Sequence, residues 1–136
     1  MAKSTPNEVT GWVGWIGFAS LLLFISGFFS LVEGFVALFR KTLYYHAATN
    51  TVYVLDYTQW GWIHIIVGIL ALTAAGSLMS GNMYGRVIAV ILALVSLVAN
   101  MAFIPVYPIW SILVIVIDVL VIYAVVVHAK EMQQLK

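Results

Sequence analysis

Four polar side chains interrupt stretches that are otherwise apolar: Glu33, His64, Asn100 and Asp118. Two carboxylates and an imidazole can relay protons or ligate a divalent cation, and ionisable residues inside a membrane are functional candidates by default. Asn100 adds a neutral donor and acceptor that could bridge them. The competing reading is structural, a hydrogen-bonded network that fixes the register of packed helices. Both readings stay open at the level of sequence. The helical Glu-x-x-His pair of di-iron bundles is missing, and so is His-Glu-x-x-His. There is no phosphate-cradling glycine loop and no nucleophile motif. The expectation is a non-enzymatic protein, with no catalytic, cofactor-binding or metal-binding residue assigned and no cofactor.

Composition decides which elements can position these groups. The chain has 136 residues, 64% hydrophobic and 8% charged, against about 25% charged in a soluble domain. That excludes an ordinary soluble enzyme and a disordered tail. A net charge of +1 leaves no electrostatic footprint for nucleic acid. With no cysteine, disulfide scaffolds and thiolate zinc or iron–sulfur sites are excluded too. Four apolar stretches stand out, Trp12–Phe39, Gly61–Ser80, Tyr84–Phe103 and Ile109–Val127. Three have about the 20 residues that a helix needs to cross the hydrocarbon. The first is longer and should tilt or extend past the surface. It is about twice the length of a signal-peptide apolar region and lacks a small-residue cleavage site, so it reads as a retained span. Barrel strands would alternate polar and apolar residues, and these stretches do not. The expected fold is a single all-α integral membrane domain, a four-transmembrane-helix bundle over residues 1–136.

With four spans, both termini and the Gly81–Gly85 turn share one side with Lys3, Arg86, Lys130 and Lys136, whereas Arg40 and Lys41 lie opposite. This bias places both termini in the cytoplasm. Trp12, Trp15, Tyr84 and Tyr123 then anchor the inner surface; Tyr57, Trp60, Trp62, Tyr107 and Trp110 anchor the outer one. Two connections are tight turns, Ser80–Gly85 and the doubly proline-marked Ile104–Pro108. Only Arg40–Gln59 has room for structure of its own. Thr42–His46 and Thr51–Tyr57 are rich in aromatic and β-branched residues around Ala47-Ala-Thr-Asn50, which predicts a short extracytoplasmic β-hairpin between the first and second helices. Its tyrosines, Tyr44, Tyr45, Tyr53 and Tyr57, either dock a partner or rest at the interface. Lys130–Lys136 reads as a short solvated tail.

Close helix approach in lipid needs small residues. The third helix offers a stripe of Gly85, Ala89, Ala93, Ser96 and Asn100; the second offers Gly61, His64, Gly68, Ala71 and Ala75. Ala19, Ser26, Ser30, Glu33 and Ala37 mark a face of the first helix, and Ser111 and Asp118 one of the fourth. Gly14, Gly17, Gly27 and Gly34 read as packing notches. Glu33, His64 and Asn100 fall roughly one to two turns inside the outer boundary at ~1.5 Å per residue, with Asp118 near the midplane. A charged carboxylate at that depth costs ~2.5–3.5 kcal/mol on insertion scales. Asp118 is therefore expected to be protonated, or paired with His64 or another donor.

The motifs Gly11-Trp-Val-Gly-Trp15, Tyr57-Thr-Gln-Trp-Gly-Trp-Ile-His64, Asn100-Met-Ala-Phe-Ile-Pro105, Tyr107-Pro-Ile-Trp-Ser-Ile112 and Ile117-Asp-Val-Leu-Val-Ile122 resemble small four-helix membrane proteins found mainly in actinobacteria. That family is known as a domain of unknown function. The resemblance covers nearly all of the chain after about Thr10, and Glu33, His64 and Asp118 fall within it. It implies a four-span plasma-membrane protein, and no substrate, cofactor or catalytic residue. The leading expectation is an accessory or structural subunit that packs with another membrane protein or with its own copies in the lipid bilayer. The alternative is a small proton-coupled transporter or lipophilic-ligand carrier built on the Glu33, His64, Asn100 and Asp118 cluster.

Overall fold

A computed structural model of the chain describes residues 9–46 and 48–135, with 41–46 and 51–56 described as backbone only. Its helices are α1 (Trp12–Phe39), α2 (Thr58–Met79), α3 (Met83–Phe103) and α4 (Pro108–His128), and a 3₁₀ helix, Ala129–Leu135, continues α4. Each of the four spans, α4 taken with its extension, is long and apolar enough to cross a membrane. Helices suit that setting because every backbone polar group must find its partner within the segment. Pro108 sits in the first turn of α4, where its missing N–H costs nothing. None of the four helices has a side-chain bond from its N-cap residue; in the first turn of α3 the Ser77 hydroxyl of α2 accepts from the Gly85 N–H instead.

Between α1 and α2, the backbones of β1 (Lys41–His46) and β2 (Thr51–Asp56) pair antiparallel, from Lys41 opposite Asp56 to His46 opposite Thr51. Asn50 takes the left-handed conformation (φ 51°) just before β2. The side chains of Tyr44, Tyr45 and Tyr53 lie outside the described residues, as do Lys3 and Lys136 of the charge count.

α1 and α2 pack along two reciprocal glycine contacts. A Cβ on Gly27 would lie 2.9 Å from the Gly68 carbonyl oxygen, and one on Gly68 would lie 2.8 Å from that of Gly27. Gly34 and Gly61 repeat the arrangement at 2.7 and 2.8 Å. Each line recurs every seven residues and continues to buried Ser20 on α1 and buried Ala75 on α2. This corrects part of the packing expected of α1. Gly27 and Gly34 are notches, but a Cβ on Gly14 or Gly17 would meet nothing within 4 Å. Ser26 and Glu33, each one residue from a notch, are exposed. Backbone contact is closest where no Cβ intervenes, so glycine rather than polarity marks the interface.

The base of the bundle is the end where α1 starts and α4 stops. A dry cluster fills it, including Ile16 and Ala19 of α1, Leu78 of α2, Ala89 of α3, and Val121 and Val125 of α4. The expected solvated tail is corrected here: Ala129 and Met132 are buried, and the segment clasps the base. Glu131 Oε2 accepts bonds from the Thr10 backbone N–H (2.7 Å) and hydroxyl (2.8 Å), while its Oε1 meets His128 Nδ1 at 2.5 Å. Trp12 stacks on the His128 ring at 5.4 Å and 9°, and Tyr123 meets Trp12 edge-on at 4.7 Å. Gln133 Nε2 donates to the Gly81 carbonyl (3.0 Å). Glu131→Ala removes three of these bonds at once. It should give several-fold faster amide exchange across 129–135 and an altered Trp12 emission, with α2 and α3 as protected as in the parent protein.

Candidate functional site

Above the base the helices part into two pairs, α1 with α2 and α3 with α4, and the contact between α1 and α4 is slight. A cavity of about 520 Å³ lies between the pairs, walled by all four helices. Its lining is mainly aliphatic, with Leu22, Leu23, Val67, Leu92 and Val114 among it; Ser26, Ser30, Ser96 and Asp118 contribute the polar side chains, and Trp110 stands in its wall. Ser26 on α1, Val95 on α3 and Trp110 on α4, exposed residues of its lining, mark its open side. A second depression of about 650 Å³ follows the Val106–Val116 surface. A single helix and the turn before it form that hollow, so it is outer surface rather than enclosure.

Asp118 is the ionisable group of the cavity. The residue is 9% exposed, and its Oδ2 has no hydrogen-bond partner among the described residues. Ser96 of α3 stands beside the carboxyl. Asn100, one turn further along α3, donates from Nδ2 to the Ser96 carbonyl at 2.9 Å and reaches the Ser96 hydroxyl at 3.5 Å. Ser96 thus links two of the residues singled out in the sequence, Asn100 and Asp118. Its place four residues before Asn100 on the small-residue stripe was the available signal. One heptad from Asp118, the Ser111 hydroxyl is fully buried and also lacks a partner among the described residues.

Glu33 and His64 form a separate pair on the flank of the α1–α2 interface. Glu33 Oε2 lies 3.7 Å from His64 Nε2, with side-chain exposures of 68% and 20%. His64 Nδ1 is 3.0 Å from the Trp60 carbonyl oxygen. That oxygen can only accept, so Nδ1 carries a hydrogen and Nε2 is the nitrogen that faces the carboxylate. The pair is ionic when the imidazole is doubly protonated. Neither residue lines the cavity. The four candidates therefore divide into Glu33–His64 and Asn100–Ser96–Asp118. Among the described residues, no three His, Asp or Glu side chains come together in a metal-binding arrangement.

The predicted anchors also divide. Trp12 and Trp15 are half-buried, whereas Trp60, Trp62 and Trp110 are exposed. Tyr57, the described member of the four tyrosines, is half-buried just before α2.

Four apolar helices around a laterally open cavity define the class, a helix bundle compatible with a multi-pass membrane protein. Within that class, the chain belongs to the family described as a domain of unknown function (DUF7144), whose model matches residues 15–130. No curated protein and no solved structure matches it.

Proposed function

We propose that this chain is a non-enzymatic, cofactor-free protein of the plasma membrane that binds a lipophilic molecule between its helix pairs. The observation that carries this reading is the cavity: about 520 Å³, aliphatic, with a buried, incompletely bonded carboxyl in its wall. Binding sites for small molecules typically occupy ~300–1,000 Å³ and combine apolar walls with a few placed polar groups. An intramembrane carboxyl is costly to keep unless it serves such a role. With both termini cytoplasmic, as the Lys and Arg distribution favours, the hairpin is extracytoplasmic and the cavity opens in the outer half of the bilayer.

The test uses the full chain in lipid nanodiscs and a fluorescent fatty chain, offered with an alcohol and with an amine head, as probe. Ser26 is exposed at the mouth, so Ser26→Phe should close the entrance without disturbing the packed base. The parent protein should bind the probe saturably and the variant several-fold more weakly. Equal, non-saturable uptake by both would overturn the proposal.

One observation favours a second reading, that of an accessory subunit in contact with another membrane protein or a second copy. The Glu33 carboxylate is 68% exposed on the flank of a span, where lipid tails offer no hydrogen bond. A neighbouring helix that presents a donor would satisfy it.

A further inference from the structure

We propose that the cavity selects lipophilic amines, molecules with an apolar body and a single protonated amino group that docks on Asp118. This deepens the ligand-binding reading and rests on it. The cavity wall carries one ionisable side chain, Asp118, and no Lys, Arg or His. An anionic lipid or fatty acid would find no counter-charge there and would sit beside a carboxyl. An ammonium head supplies what the site lacks. The Asp118 Oδ2 atom, buried and without a partner among the described residues, accepts one N–H. Hydroxyl oxygens at Ser96, Ser26 and Ser30, all in the same wall, are of the type that accepts the others. A buried charge is tolerated when it is paired and its remaining hydrogens are bonded, so amine and carboxylate make each other's burial possible. A neutral alcohol forms one bond here and leaves the carboxylate uncompensated. The aliphatic remainder of the wall, from Leu22 to Val114, receives the body of the ligand.

Three probes of one chain length separate the head groups: dodecylamine, dodecanol and dodecanoate, each titrated into the full chain in nanodiscs of zwitterionic lipid. Trp110 in the cavity wall is the reporter, and its signal is identified as the fluorescence change that Trp110→Phe removes. Dodecylamine is expected to give a saturable change, and dodecanoate none. In Asp118→Asn, which keeps the shape of the side chain, the apparent affinity for dodecylamine should fall roughly thirtyfold or more, the lower end of the cost of removing one partner of a buried charge pair. Dodecanol binding as tightly as dodecylamine would overturn the amine selectivity and leave the ligand-binding reading standing. So would dodecylamine binding unchanged in Asp118→Asn. No saturable change with any of the three probes would overturn both. The comparison of probes on the parent protein does not depend on Asp118→Asn folding, and Trp110→Phe serves only to assign the signal.

Discussion

Alanine at Gly85 is expected to loosen the whole α2–α3 corner, although it adds a single methyl group. A Cβ at that position would overlap the backbone nitrogen of Leu78 and lie 2.7 Å from both Leu78 Cα and the Ser77 carbonyl carbon. These are main-chain atoms, which cannot rotate aside as a side chain would. The corner is fixed from other directions as well. The Gly85 N–H donates to the Ser77 hydroxyl at 3.0 Å, and Gly81 makes the turn in the left-handed conformation (φ 70°). Leu78 is fully buried in the base cluster, so a shift there reaches the core. Overpacking of this kind costs roughly 1–3 kcal/mol, and a clash with backbone belongs at or above the upper end. Gly76 is the internal control, because a Cβ there meets nothing within 4 Å. Alanine at Gly76 should gain about 0.5–1 kcal/mol from helix propensity. Thermal unfolding followed by circular dichroism in one detergent would compare the two. Equal melting temperatures would show that the α2–α3 approach is looser than described.

Leucine at Asp118 is expected to have an opposite effect on stability. The carboxyl is buried with one oxygen unpartnered among the described residues, and an unsatisfied buried polar group costs about 1–3 kcal/mol. Leucine removes that cost by replacing the two oxygens with methyl groups, and the adjoining cavity of about 520 Å³ gives their extra bulk room. Ser96 loses its neighbour but still has Asn100 Nδ2 within 3.5 Å of its hydroxyl. Stability should therefore rise by roughly 1–3 kcal/mol in the same thermal assay, while saturable dodecylamine binding is lost. A gain in stability at the expense of binding is the usual mark of a residue kept for function. A destabilised Asp118→Leu would mean instead that the carboxyl holds α3 and α4 together.

How much of this could be read from the residues depends on what set each feature. The spans were legible because length and apolarity alone determine them. The α3 stripe of Gly85, Ala89, Ala93, Ser96 and Asn100 was legible because small residues stand out among Val, Leu and Ile. It carried Asn100 and Ser96 to the Asp118 side of the cavity. The α1 face was legible in part: the residues that contact α2 lie one position, about 100°, from Ser26 and Glu33. Ser26 and Ser30 do face inward, in the cavity wall with Ala19, while Gly27 and Gly34 decide the contact with α2 and Glu33 falls on the flank. The four polar residues divide because Glu33 and His64 lie together on the α1–α2 flank, outside the cavity that Asp118 lines. The basal clasp had one local signal, the three-residue spacing of His128 and Glu131. Lys130–Leu135 has the composition of a solvated tail, and its order comes from Thr10 and Gly81, partners remote in sequence.

The clasp and the dry cluster beneath the cavity bear on traffic through the molecule. With Ile16, Leu78 and Val125 fully buried below and Glu131 tying Thr10 to the far end of α4, the bundle is a cup rather than a pipe. On the proposed ligand-binding reading, a molecule that enters from the open side of the cavity meets a floor and leaves the way it came. Such a vessel would, on that reading, exchange its contents sideways rather than pass them along the bundle axis.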